Sequence, residues 1–419
     1  MATAEPAPHT QALNNHQETD VVILGAGFTG LSAALHLSEA GRSVLVLDAG
    51  DIGWGASGRN GGQVNPAFEP LPSAVRAFYG RARGERVLKF VDGACDLVFD
   101  LIDRHGINCA PRRVPYLRGA SGRRGLEEVA AWVQQWQDFG APVVLKSAVE
   151  TEHLLGSPYY DGAMEDARGG SLQPLSYVRG LARAALAAGA RVFTRSRAAA
   201  LEKTGASWQV TTESGHKANA RHVLVCTNGY TDNLWPGLAQ NVVPVSSLQT
   251  ATEPLPEHIR SAILPFGHHV SETRRVMVYY RIDENGRFQI GGRGNSLFSN
   301  PRLDDTFHLR ARAIKIFPGL ADVRWDFNWG GQVAMTKTHL PHLIELGENA
   351  HAGFGYNGRG VAMGTAMGRQ LAQLVLGEDV PMPRTRGAPF LLHGFRDLGV
   401  AWHTISGGVA DWMETRTPE

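Results

Sequence analysis

Residues 20–37 read DVVILGAGFTGLSAALHL, and the order of residue types in this stretch decides the fold. Residues 20–24 are a short apolar run rich in β-branched side chains, as in a buried strand. Gly25, Gly27 and Gly30 follow at once as GxGxxG, and Leu31, Ala34, Leu35 and Leu37 then recur at helical spacing until Gly41 ends the helix. Residues 43–47 (SVLVL) form a second β-rich run ending in Asp48, 18 residues beyond Gly30. Strand, glycine turn, helix and strand make one βαβ unit with parallel, adjacent strands. Gly25 permits the tight turn, Gly27 lets the backbone approach a pyrophosphate, and Gly30 lets the helix pack closely on the strand. Ala26, Phe28 and Thr29 complete a turn whose free N–H groups and helix N-terminus favour an anion. Asp48, with Ala49 beside it, stands where a carboxylate holds ribose hydroxyls. This unit alone does not separate FAD from NAD.

The following segment, residues 51–70, is a glycine-rich loop without periodicity. Its centre, WGASGRNGGQ, is too polar to pack a core. Small residues there (Ala56, Ser57, Asn60, Gly61, Gly62, Gln63) let backbone N–H groups reach a flat ring system, and Arg59 suits a phosphate. Farther along, residues 74–105, 123–139 and 175–188 read as helices. Residues 191–192, 208–213 and 221–226 read as strands. Residues 240–300 change to short extended runs with Asn285-Gly286 as a hairpin turn, which predicts a separate antiparallel sheet. A helix over 306–317 and a loop over 325–341 precede a second glycine cluster, Gly353, Gly355, Gly358 and Gly360, which opens a long helix. Gly364 and Gly368 leave one face of that helix bare.

The expected fold class is α/β (α+β), an FAD-binding Rossmann-like domain with a second antiparallel-sheet substrate domain. Residues 1–18 read as a frayed tail; 19–70, 150–235 and 320–380 as a discontinuous nucleotide-binding domain; 71–149 and 236–319 as a substrate or cap domain; and 381–419 as a C-terminal extension. Composition agrees: 43% hydrophobic and 19% charged residues describe a globular chain long enough for two domains. A formal net charge of +1 gives no field for nucleic acid or anionic lipid. The apolar stretch at residues 21–37 is broken by glycines and is not a membrane span. Cys95, Cys109 and Cys226 are widely spaced, so neither a metal site nor a disulfide framework is expected, and the compartment reads as reducing and cytoplasmic.

With the glycine-rich loop directly after the acid-ended strand, the sequence resembles the D-amino-acid-oxidase-like superfamily of FAD-dependent oxidoreductases, nearest to gamma-glutamylputrescine oxidoreductases and L-pipecolate oxidases. The resemblance implies that the loop lies along the pyrophosphate and isoalloxazine of FAD. It implies that Ala198 offers a backbone amide to adenine, and that Thr227 and Gly229 belong to a turn closing over the cofactor. It places Trp329, Gly355, Asn357, Gly358, Gly360 and Val361 beside the flavin, with the last helix pointing its positive end at the ring. Relatives with a cysteinyl flavin carry Cys near the C-terminal cluster; none stands there, so noncovalent FAD is expected. The implied chemistry is hydride transfer to flavin N5 from a carbon bearing nitrogen, hydrolysis of the imine, and reoxidation of the flavin by oxygen or another electron acceptor.

Amino-acid oxidases of the superfamily carry an arginine in a GxRPxT-like stretch; here Val333 takes that position, which disfavours a plain D-amino-acid oxidase. Tyr279, Tyr280 and Arg281 lie consecutively on an expected strand, so Tyr280 faces opposite to the other two and only one set lines a cavity. Tyr280 and Lys337 are the catalytic candidates, Lys337 through the oxygen-activating lysine of sarcosine-oxidase relatives. Tyr279, Arg281, Arg293 and Trp329 are the substrate-binding candidates. Either arginine would hold a carboxylate remote from the reacting amine, as in a gamma-glutamyl group; a surface salt bridge is the competing reading. His339 and His342 stay undecided. Rival readings are an FAD-dependent amino-acid or hydroxy-acid dehydrogenase that uses a quinone or carrier, a silent flavin-binding subunit, and an NAD-dependent dehydrogenase. The oligomeric state is not legible.

Overall fold

The computed structural model describes residues 2–294 and 305–414. The first apolar run is the strand Gln17–Leu24, the glycine turn opens the helix Phe28–Glu39, and the second run is the strand Val44–Leu47. The two strands pair in parallel, Val21 opposite Val44 and Leu24 opposite Leu47. Val21, Val22 and Ile23 are wholly buried, as a strand covered on both faces requires. Among the described residues this unit belongs to a nine-stranded sheet. Its centre runs Ala350–Phe354, Lys217–Val225, Gln17–Leu24, Val44–Leu47 and Arg191–Phe193, all parallel. The helices Pro174–Ala187 and Gly360–Val375 pack against Phe28–Glu39 on one face.

The second sheet has eight strands among the described residues, ordered Trp325–Met335, Val243–Pro254, Arg287–Arg293, Val278–Ile282, His269–Glu272, Tyr116–Ala120, Gly162–Asp166 and Val143–Ser147. Its pairs are antiparallel except His269–Glu272 with Tyr116–Ala120. The turn at Asn285-Gly286 joins two of these strands as expected, with Tyr280 opposite Ile290. Tyr280, Phe288, Ile290 and Phe317 form the apolar core beneath it.

Three expectations change, and the extension after 380 takes its place in the structure. Residues 325–335 are a strand, not a loop, paired along most of Val243–Pro254. The alternation Trp325, Phe327, Trp329 is the sign of it, masked by Gly330 and Gly331. The domain boundaries move with it: Trp325–Met335 and Gly162–Asp166 both belong to the second sheet. Residues 2–16 are not a frayed tail. Gln11 bridges Phe193, Leu13 is buried, and the Glu5 N–H donates to Ser176 Oγ at 2.9 Å. The extension after 380 joins the fold too, since Arg384–Thr385 pairs with His342–Gly347 and residues 396–414 form a helix. Among the described residues no helix is long and apolar enough to cross a membrane.

Candidate active site

The first glycine turn is shaped by contacts that leave no room for side chains. Gly25 has φ +107°, a conformation L residues rarely adopt. A Cβ on Gly30 would lie 1.9 Å from the Gly25 carbonyl oxygen, so the helix sits directly on the turn. The helix Phe28–Glu39 starts at Gly27, which has no side chain to cap it; Ser57 Oγ accepts from Phe28 N at 3.0 Å, and the rest of the first turn faces the cavity as an anion-favouring N-terminus. Asp48 closes the turn from the neighbouring strand: its Oδ2 accepts from Ala26 N at 2.6 Å and its Oδ1 from Gly50 N at 2.8 Å. Burial pushes its carboxyl above the usual range, against the pull of those two N–H groups.

The second glycine turn arrives at the same place from the other end of the chain. Gly355 has φ +80°, and a Cβ there would meet Thr336 Cγ2 at 2.1 Å. Asn357 Oδ1 accepts from Thr336 N at 2.8 Å, and Asn228 Oδ1 accepts from Gly355 N at 2.9 Å. The helix Gly360–Val375 also begins without a side-chain cap. Gly368 lets it approach the first helix so closely that a Cβ would lie 2.4 Å from the Thr29 carbonyl oxygen. The hydroxyls of Thr29 and Tyr356 share a hydrogen bond at 2.7 Å, stitching the two turns together.

Between them lies a cavity of about 1560 Å³. That exceeds the roughly 300–1,000 Å³ of ordinary small-ligand pockets, and it leaves room for a large nucleotide together with a substrate. Gly25, Ala26, Gly27, Phe28, Thr29, Asp48 and Ala49 line it, as do Ala56, Ser57, Arg59, Asn60, Gly61 and Gln63. Ala198, Thr227, Asn357, Gly358, Gly360 and Val361 line it as well. Gly30, Gly62, Gly229 and Gly355 are not on the wall and act one layer behind it. Arg59 lines the cavity, but its Nε donates to Trp54 O at 2.6 Å and its Nη1 to Gly330 O at 3.2 Å, so it braces the loop.

The sequence model of the family described as "FAD dependent oxidoreductase" (DAO) matches residues 20–374. The chain belongs to this family. Among its relatives, the probable oxidoreductase OrdL of Rhizobium meliloti is 33% identical over 385 residues, covering 91% of this chain and 88% of that protein. The gamma-glutamylputrescine oxidoreductase of Escherichia coli is 30% identical over 415 residues, covering 96% of each. The crystal structure of glycine oxidase from Geobacillus kaustophilus superposes with a TM-score of 0.73 at 21% identity, over 88% of this chain and 97% of the other. The nucleotide of this FAD-dependent oxidoreductase is therefore FAD. The cavity fits it: two helix N-termini and a buried carboxylate face one continuous space.

In this flavoenzyme the substrate candidates divide by strand face. Tyr279 lines the cavity, with its hydroxyl 2.7 Å from Ser247 Oγ. Tyr280 points the other way into the sheet core, against Phe288 and Phe317 and within 3.3 Å of the Tyr160 hydroxyl, so it is placed away from the flavin. Arg281 shares the face of Tyr279 but stops short of the cavity wall. Its Nε donates to Gly61 O at 2.6 Å and its Nη2 to Leu172 O at 3.1 Å. Trp329 is likewise off the wall, donating from Nε1 to Arg59 O at 3.0 Å. Both residues bolt the glycine-rich loop to the second sheet, with Gln249 Nε2 as a third bolt on Arg59 O at 3.0 Å.

Arg293 does line the cavity; Nη2 donates to Val400 O at 2.9 Å, and no carboxylate pairs with it among the described residues. Burial lowers its pKa, which is the mark of a cation short of a counter-charge. Lys337 is on the wall and exposed. His339 faces the cavity with φ +54° and holds Glu69, Nδ1 to Oε2, at 2.7 Å. That hydrogen bond raises the His339 pKa, while His342 is buried and pushed down to about 4. Sequence reasoning missed Asn228, Gln249, Tyr116 and Ser271, isolated polar residues whose role depends on which strands pair. It also missed Phe395 and Leu398, which form part of the wall.

Proposed function

We propose that this flavoenzyme oxidises a C–N bond in an amine that also carries a carboxylate remote from the reacting nitrogen, such as a gamma-glutamyl amine or a secondary amino acid. The observation that carries the reading is Arg293, a partly buried guanidinium on the cavity wall without a carboxylate partner among the described residues. A substrate carboxylate supplies the missing charge through a charge-assisted hydrogen bond. Val333 at the position of the amino-acid-oxidase arginine supports the same reading, because an anchor on a different strand holds a different part of the substrate. The amine must be neutral for its lone pair to assist, and burial in the cavity lowers its pKa toward that form. Tyr279 and Ser247 offer hydroxyls that orient it. Bound FAD supplies the acceptor for the hydride leaving the carbon that bears nitrogen.

FAD is held without a covalent link in this reading. Cys226, on the cavity wall, is buried and its thiol is pushed well above its ordinary range, away from nucleophilic character. Acid precipitation that leaves the yellow colour with the protein would overturn that part. The central test is anaerobic mixing of the holoenzyme with gamma-glutamylputrescine, pipecolate, sarcosine and methylaminobutyrate. Bleaching of the flavin bands by a carboxylate-bearing amine, and release of hydrogen peroxide under air, support the proposal. Bleaching by a hydroxy acid alone would replace it with the dehydrogenase reading.

A further inference from the structure

Glu69 and His339 meet on the cavity wall although 270 residues separate them in the chain. His339 Nδ1 donates to Glu69 Oε2 at 2.7 Å. Because a carboxylate only accepts, the proton of the neutral ring lies on Nδ1 and Nε2 keeps its lone pair. Among the described residues no hydrogen bond engages Nε2. Both partners are presented by backbone in the left-handed region that favours glycine: Ala67, two residues before Glu69, has φ +62°, and His339 has φ +54°. Such outliers cluster at functional sites. Each side chain is 47% exposed and both line the cavity, so the pair faces the space that a ligand fills and is not held there by a core.

The pair stands between the second glycine turn and the second sheet. Pro66 O accepts from Arg359 Nη1 at 2.7 Å, which ties the segment carrying Glu69 to the start of the helix Gly360–Val375. Thr336, three residues before His339, donates from N to Asn357 Oδ1 at 2.8 Å. On the sheet, Arg118, Ser271 and Tyr279 stand in register on neighbouring strands and line the same cavity. The charges that bear on Glu69 besides His339 are Arg359, from the helix start, and Arg118, from the sheet. Lys337 is exposed on the same wall. Three strand steps separate the strand of Arg293 from that of Arg118, roughly 14 Å at about 4.8 Å per step. A substrate whose carboxylate sits on Arg293 therefore reaches the pair with the far end of an extended chain, the end that carries the reacting nitrogen.

We propose that His339, oriented by Glu69, takes the proton of the substrate ammonium on Nε2 and is the general base of the reaction; this rests on the amine reading above. An N–H bond of the ammonium breaks and its electron pair stays on nitrogen, while the proton forms an N–H bond with Nε2. The neighbouring carbon then loses its hydride to bound FAD with that pair assisting, and the imine is hydrolysed. The imidazolium left behind is balanced by the Glu69 carboxylate and returns its proton to water. The hydrogen bond to Glu69 holds the His339 pKa above its ordinary 6.5, nearer to that of the amine it deprotonates.

The test is the pH dependence of anaerobic flavin reduction by whichever of the four amines bleaches the native holoenzyme, measured as a second-order rate constant for native chain, His339→Asn and Glu69→Gln. Asparagine tolerates the left-handed turn and accepts no proton. The native rate is expected to rise through the raised His339 pKa and to level off well before the substrate amine titrates. His339→Asn, with FAD still bound, is expected to lose about 100-fold at pH 7. Its rate is expected to rise only as the amine itself deprotonates, near pH 10 for an alkylamine. Glu69→Gln still accepts from Nδ1, and is expected to move the rise down toward pH 6.5. A ring-nitrogen NMR titration, with the His339 signal assigned by its loss in His339→Asn, is expected to show the same raised pKa and the same fall in Glu69→Gln. A His339→Asn chain that keeps the native rate and profile would overturn the proposal while leaving the amine reading intact, as would a native His339 signal that titrates at or below 6.5. Native flavin that none of the amines bleaches would overturn the amine reading and this inference with it.

Discussion

Two arginines on the second sheet illustrate how closely residue type and role must be separated. Arg281 and Arg293 read alike in the sequence, yet one donates to two loop carbonyls and the other faces the cavity without a carboxylate partner among the described residues. Losing a hydrogen bond to a charged group costs about 1.5–3 kcal/mol, so Arg293→Ala is expected to raise KM by roughly 10–100-fold with FAD still bound. Arg281→Ala is expected instead to loosen FAD, read as a lower affinity of the apoprotein. Titrating each variant with FAD and then with substrate separates the two effects. The Glu69–His339 pair makes a pH prediction. His339 has its pKa raised, so its contribution is present below the ordinary histidine value of 6.5 and fades as pH climbs through the raised value. Glu69, half exposed, is held below its ordinary range by its His339 hydrogen bond against a desolvation cost, so its contribution is present above 4.5 and fades on acidification. The melting-temperature gap between native protein and His339→Ala should therefore be widest near pH 5–6 and shrink above neutrality. A gap independent of pH would refute the pairing.

Among the elements, the βαβ unit was fully legible because each residue there obeys a local rule: apolar run, glycine turn, helical spacing, terminal acid. The strand Trp325–Met335 was not, since its partner lies some eighty residues earlier and its glycines imitate a loop. Trp329 shows the consequence: the sequence offers it as a substrate or flavin contact, and in the fold it pins the glycine-rich loop through Arg59 O. Trp329→Phe removes that bond at a cost of about 1 kcal/mol; the expected result is a lower melting temperature and weaker FAD retention, with unchanged KM for substrate. At the helix pair, Gly368→Ala pushes a methyl into the Thr29 carbonyl and forces the two glycine helices apart. A fall in FAD affinity with the fold retained, seen by circular dichroism, is the expected outcome.

At the scale of the whole molecule, the sequence shows two glycine clusters separated by more than three hundred residues, and chain order alone does not say that they meet. The parallel sheet brings them together, because Gln17–Leu24 and Ala350–Phe354 both flank Lys217–Val225 and end at the same edge. The extension after 380 was illegible for the opposite reason: its apolar residues Leu391, Leu392, Phe395 and Leu398 stand exposed at the cavity rim and not in a core, so no core pattern announced their place. The central claim is that both turns grip one FAD. Fluorescence titration of the apoprotein with FAD tests it most directly, using native chain, Gly30→Ala and Gly355→Ala. The native chain is expected to take up one FAD per chain, and each substitution, made at opposite ends of the sequence, to abolish tight uptake. Native protein that binds no FAD, or full affinity in either variant, would contradict it.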